Sequence, residues 1–119
     1  MSHAVGDPTA ERVARNDAAF RQSNEQLGAF SAELGFEPDE LTPYLCECAD
    51  LTCTTVVQVT RAEYESVRTS PIQFLTARGH EGTGEDWARV VEVFERYTIV
   101  EKVGDAAEVA AALDERAGR

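Results

Sequence analysis

The stretch "YLCECADLTC", residues 44 to 53, holds all three cysteines of the chain within ten positions. Sulfurs this close in sequence meet in space, so any fold of the chain must ligate them, use them or bury them. If Tyr44 to Cys48 is a strand, alternation puts Tyr44, Cys46 and Cys48 on one face and Leu45 and Glu47 on the other. "ADLT" then reads as a turn that brings Cys53 back opposite Cys48, at the neck of a hairpin whose second strand is "CTTVVQVT", 53 to 60. The spacing C-x-C-x4-C supplies three corners of a tetrahedron. Zinc is the natural occupant, because it takes Cys and His and closes structural sites with four protein ligands. C-x-C is less specific than paired C-x2-C knuckles. An iron–sulfur cluster, a metal-free thiol switch and three packed thiols are the competing readings.

The fourth ligand has to come from elsewhere. His80 stands in "RGHEG", a glycine-flanked loop just past a strand over 72 to 78 that should neighbour the hairpin. His3 is the other histidine, in a segment (1 to 7) expected to be a disordered tail. Asp50, Glu47 or Glu81 could each offer a carboxylate oxygen, and a water would leave the position open. Cys46, Cys48, Cys53 and His80 are therefore the candidate metal ligands, with Zn2+ the expected ion.

Whether clustered cysteines mean metal or disulfide depends on the compartment. "MSHAVGDPTAER" has neither the basic start nor the apolar core of a secretory signal. No apolar run approaches the roughly 20 residues that a membrane span needs. The expected address is the cytoplasm, where thiols stay reduced and such cysteines are read first as ligands or redox groups. A chain of 119 residues can build one core, though a domain this small is often reinforced by a metal or a partner. Net charge is −11 and Lys102 is the only lysine. The best basic group, Arg12, Arg15 and Arg21, is diluted by Glu11, Asp17 and Glu25. Gripping phosphates needs a basic stripe, so nucleic acid is disfavoured, and a basic protein partner fits the charge better.

Around the cysteines the chain reads as α+β: a long N-terminal helix, then a small, mostly antiparallel sheet of about five strands, with a short middle helix and a C-terminal helix. Asp7 and Pro8 open the first helix, which runs over 8 to 35 and closes at Gly35. Val13, Phe20, Leu27 and Leu34 recur at intervals of seven, half of a heptad seam. That stripe either lies on the core or pairs with a second helix, with Asn24 buried as the residue that fixes register. The second pairing would make the helix the contact to a protein partner or a homodimer. "TRAE", 60 to 63, is a capping box for a short helix whose buried face is Tyr64 and Val67. "EDWARVVEVFERYTIVEKV" fits a helix by spacing, but its β-branched density favours a hairpin turning at Glu95 and Arg96. The last helix is expected over 106 to 117, leaving 36–119 as the metal-binding α+β domain.

No phosphate-binding glycine loop, G-x-S-x-G or H-E-x-x-H occurs. The one enzymatic version with a mechanism is a zinc hydrolase, with an open coordination position and Glu81 as base. Trp87, just after the glycine-rich loop, is the aromatic best placed to serve the metal site.

Through "ERVARNDAAFRQSNEQL", "LCECADLTC" and a "GHE" followed by "VVEVFERYTIVEK", the chain resembles a group of small uncharacterised actinobacterial proteins. The likeness covers most of residues 11 to 103. It implies that Cys46, Cys48, Cys53 and His80 form one package, and it implies no activity. This chain departs from the pattern in its "IVEK" ending and in Trp87 and an extra glycine after His80. The leading expectation is a small cytoplasmic zinc-binding regulatory or adaptor protein, non-catalytic; the alternatives are a thiol-based redox or metal sensor using Cys46, Cys48 and Cys53, and the open-site hydrolase.

Overall fold

A computed structural model describes residues 8–48, 50, 52–81 and 87–116. Residues 1–7, with His3 and Asp7, and the "GTGED" segment lie outside the described residues, as does the expected end of the last helix at 117. The chain is α+β, in the order α1 (Pro8–Glu33), β1 (Leu41–Leu45), β2 (Val56–Thr60), α2 (Arg61–Val67), β3 (Gln73–Thr76), β4 (Ala88–Val93), β5 (Thr98–Lys102) and α3 (Gly104–Ala112). Among the described residues no helix is long and apolar enough to cross a membrane.

The five strands form two antiparallel sheets: β1 with β2, and β3-β5-β4. The stretch "ARVVEVFERYTIVEK" forms the hairpin rather than a helix, with Ala88 opposite Lys102 and Val93 opposite Thr98. β4 is the edge strand of its sheet and carries a bulge between Val90 and Glu92; Val90, Val91 and Val93 all stand exposed. At its turn the Phe94 amide donates to the Tyr97 carbonyl at 2.8 Å, and the two rings stack 4.7 Å apart. The capping box is present in both halves. Thr60 Oγ1 accepts from the Glu63 amide at 3.0 Å, and Glu63 Oε1 accepts from the Thr60 amide at 2.8 Å. Gly35, at φ +95°, ends α1 in the left-handed region, with the Phe36 amide donating to Ser31 and the Gly35 amide to Ala32.

Several expectations fail for identifiable reasons. The first strand begins at Leu41 and stops at Leu45, so it does not run from Tyr44 to Cys48. Pro43 is tolerated because β1 has only one strand neighbour. Beyond Leu45 the backbone changes partner: the Cys46 amide still donates to Thr55 in the hairpin, but the Glu47 amide donates to Leu75 on β3 at 2.7 Å. Cys46, Glu47 and Cys48 are consequently all buried, and Glu47 is fully so. The last helix spans 104 to 112, not 106 to 117, because Asp114 and Arg116 leave it for ion pairs with Arg68, Glu25 and Glu65.

The largest correction concerns α1. The heptad stripe is not its docking face: Leu34 is 61% exposed and its neighbour Phe30 56%. The buried positions are Ala10, Val13, Ala14, Asp17, Arg21, Asn24 and Ser31: of the heptad row Val13 alone is buried, and beyond Ala14 the buried row is polar. Asp17, Arg21 and Asn24 each meet a partner inside the fold. Asp17 pairs with Lys102. Arg21 donates to the carbonyls of Pro71 at 2.7 Å and Ala110 at 2.9 Å and lies over the Phe74 ring. Asn24 grips β1 from both sides, donating to the Leu45 carbonyl at 2.9 Å and accepting from the Leu45 amide at 2.8 Å. Arg21 and Asn24 are thus core residues, withdrawn from any phosphate surface or helix–helix seam. Trp87 joins Ala10, Ala14 and Ala106 between α1 and α3, away from the cysteines.

Candidate metal centre

The main core contains Tyr44, Val57, Tyr64, Leu75 and Ile99, and Cys46 and Cys48 belong to it. Cys53 packs at its edge, brought back by a turn in which the Cys53 amide donates to the Asp50 carbonyl at 3.0 Å. Asp50 Oδ1 accepts from both the amide and the hydroxyl of Thr52 and so pins that turn. His80 arrives from the end of β3 through a tight turn closed by its own amide on the Ala77 carbonyl, with Gly79 at φ +91°. A side chain at position 79 would be strained in that conformation.

The four candidate ligands converge. Their ligand atoms all lie within 4.8 Å of one another, and together they can hold a metal ion. His80 Nδ1 is 3.5 Å from Cys53 Sγ and 3.7 Å from Cys46 Sγ. Ligands about 2.3 Å (sulfur) and 2.0 Å (nitrogen) from a tetrahedral zinc stand about 3.5–3.8 Å apart along the tetrahedron's edges. All three cysteines are free thiols. Backbone donors already point at the sulfurs: the Ala77 N–H donates to Cys46 Sγ at 3.2 Å, and N–H groups of Asp50 and Thr55 serve Cys48 and Cys53. Such outer bonds orient thiolate ligands and spread their charge.

The alternative oxygen ligands are engaged elsewhere. Asp50 is held by Thr52. Glu81 Oε2 accepts from the Gly79 amide at 3.0 Å and the Thr98 hydroxyl at 2.8 Å. Glu47 points into the core, away from the sulfurs' common face, onto donors from Asn24, Tyr64 and Leu75.

The thiols differ in acidity. Burial pushes Cys46 and Cys48 above the usual thiol range. At Cys53 burial also raises the pKa, but hydrogen bonds from Thr55, Cys48 and His80 outweigh it and bring the thiol down to about 7. A divalent cation at the centre of the group would stabilise all three thiolates, since a coordinating thiol is deprotonated outright.

Sequence reasoning placed Glu47 on the face opposite the cysteines and weighed it only as a possible oxygen ligand, missing its role as a buried hub. Burial raises its carboxyl to about 7 against the pull of its hydrogen-bond donors Tyr64, Asn24 and Leu75. Nothing local to "CEC" signals this, because the donors come from three distant segments. A cleft of about 310 Å³ lies between α1, β1 and α2, lined by Gly28, Tyr44, Arg61 and Glu65 among others; none of the four candidate ligands lines it.

No protein-family model, curated protein or solved structure matches the chain.

Proposed function

We propose that the chain is a small zinc-binding regulatory or adaptor protein of the cytoplasm, with Zn2+ held by Cys46, Cys48, Cys53 and His80 in a closed, non-catalytic site. The observation that carries this reading is the convergence of three free thiols and one imidazole within 4.8 Å, with His80 Nδ1 at tetrahedral-edge distance from the Cys46 and Cys53 sulfurs. Four protein ligands leave no open position for substrate, and Glu81 is tied to Gly79 and Thr98, so neither requirement of the hydrolase reading finds support. Unpaired thiols suit a reducing compartment. Metal analysis of protein purified without added metal should find one zinc per chain. Substoichiometric content of every transition metal, with thiols reduced and fold intact, would sink the metal reading.

Cys53 favours a second reading, a thiol-based redox or metal sensor. It is the least buried of the three cysteines and the most acidic. A sensor thiol should alkylate quickly near neutral pH, while a closed zinc thiolate should be shielded until a chelator is added. Association with a protein partner or a second copy would use the exposed end of α1, where Phe30 stands beside Leu34, the last residue of the heptad row. The double variant Phe30→Glu, Leu34→Glu should then shift the mass seen by light scattering, and an unchanged mass in both forms would remove the homodimer.

A further inference from the structure

Glu47 sits between two of the candidate ligands and none of it reaches solvent. Its Oε1 accepts from the Leu75 amide of β3 at 2.9 Å. Its Oε2 accepts from Asn24 Nδ2 of α1 at 2.8 Å and from the Tyr64 hydroxyl of α2 at 2.5 Å. Its own amide donates to the Leu75 carbonyl at 2.7 Å. The middle residue of C-x-C is therefore fixed to three separate elements, one donor from each. Burying a carboxylate without a directly paired cation is costly, and an apolar side chain would fill the same core position at lower cost. What the carboxylate provides that an apolar side chain cannot is a fixed orientation of the Cys46–Cys48 backbone. Asn24 extends the same clamp by holding the Leu45 amide and carbonyl, immediately before Cys46.

Ala10, Val13 and Ala14 bury apolar surface at the start of α1, but the stretch that takes part in this clamp is buried through Asp17, Arg21 and Asn24, so there the helix is held by hydrogen bonds and ion pairs. Loosening the residues it grips therefore loosens the helix. Resting on the reading of Cys46, Cys48, Cys53 and His80 as a metal centre, we infer that Glu47 is the positioning residue of that centre and that ion binding and docking of α1 are coupled through it. An ion on Cys46 and Cys48 stiffens the segment that Asn24 and Glu47 share, and so holds α1 down. Loss of the ion frees that segment and favours release of α1. Coupling of this kind is reciprocal, so a chain with α1 docked binds the ion more tightly than one with α1 free.

The full chain tests this in two measurements: zinc affinity by competition with a chromophoric chelator, and amide hydrogen exchange of α1 with zinc bound or removed by EDTA. In the wild type, zinc removal should speed exchange around Asp17 to Asn24 at least tenfold. Glu47→Gln keeps the volume but turns one of the two acceptor oxygens into N–H₂, which opposes either the Leu75 amide or the Asn24 and Tyr64 donors. It should weaken zinc binding roughly 10–100-fold, the range for residues that orient metal ligands. The cobalt-substituted variant should keep its thiolate charge-transfer bands, because all four ligands remain, and the zinc dependence of α1 exchange should shrink. Tyr64→Phe keeps the ring stacked 4.5 Å from Tyr44 and removes one donor, so it should move the same way by a smaller factor, and it carries the test if Glu47→Gln does not fold. Stoichiometric zinc with α1 exchange indifferent to it would overturn the coupling and leave the metal centre standing. So would variants that exchange faster everywhere but bind zinc like the wild type, the signature of a merely structural role. A wild-type chain that takes up no zinc would overturn both readings.

Discussion

Asn24→Ala tests how α1 is held, and its size can be worked from the contacts. The substitution removes two bonds to Leu45, at 2.8 and 2.9 Å, and one to Glu47 Oε2 at 2.8 Å. A buried group left without its partner costs about 1–3 kcal/mol, more where the acceptor is charged. Leu45 is half-buried, so water replaces part of its loss, and its two groups fall at the low end. Glu47 retains Tyr64 and Leu75, so it loses one charge-assisted bond and stays solvated by two. The sum is about 3–5 kcal/mol, offset by about 0.5 kcal/mol because alanine is the better helix former. Against a usual stability of about 5–15 kcal/mol the loss is large. Urea unfolding followed by circular dichroism should show a lower midpoint with an unchanged slope. Asn24→Asp should cost more than Ala despite its matching shape, because it cannot donate and brings a second carboxylate against Glu47. A loss under about 1 kcal/mol would refute the clamp. Unchanged stability with a changed oligomeric state would place Asn24 in a contact between copies after all.

Three further outcomes follow from other parts of the core. Burial raises the Asp17 carboxyl from 3.8 to about 6, outweighing the opposing pull of Lys102. Between those pH values the folded chain holds a proton that the unfolded chain has lost, so this group's contribution to stability falls as pH rises. The stability of the wild type minus that of Asp17→Asn should therefore decline from pH 4 to pH 7, and a flat or rising difference counts against it. A methyl group on Gly28 would meet the Tyr44 hydroxyl at 3.0 Å, so Gly28→Ala should forfeit the gain of about 1 kcal/mol that alanine usually brings to a helix. In a Tyr44→Phe background the oxygen is gone and that gain should return, as read from urea midpoints. Thr60→Ala should cost about 1 kcal/mol in the same assay by removing the cap of α2.

What could be read from the sequence was local chemistry. The capping box at Thr60 and Glu63 spans three residues, and its two bonds form wherever the helix begins there. The β4–β5 hairpin announced itself through its density of valines and its turn. The four candidate ligands were legible because cysteine and histidine have few other reasons to cluster, so residue type did the work that geometry later filled in. The docking face of α1 was not legible, because the usual inference runs from apolar to buried. Its row of buried residues has the right helical period but polar content, and the groups that make it tolerable inside lie far along the chain. Asn24 and Leu45 are 21 positions apart, and Arg21 and Ala110 are 89. The same distance hid Glu47, whose donors come from α1, α2 and β3. The two oversights are linked. A helix buried through specific hydrogen bonds has an attachment set by the few groups it grips, and here the nearest of those groups flank Cys46. Apolar docking would have been read correctly from the sequence, but it would have left α1 indifferent to an ion at the cysteines.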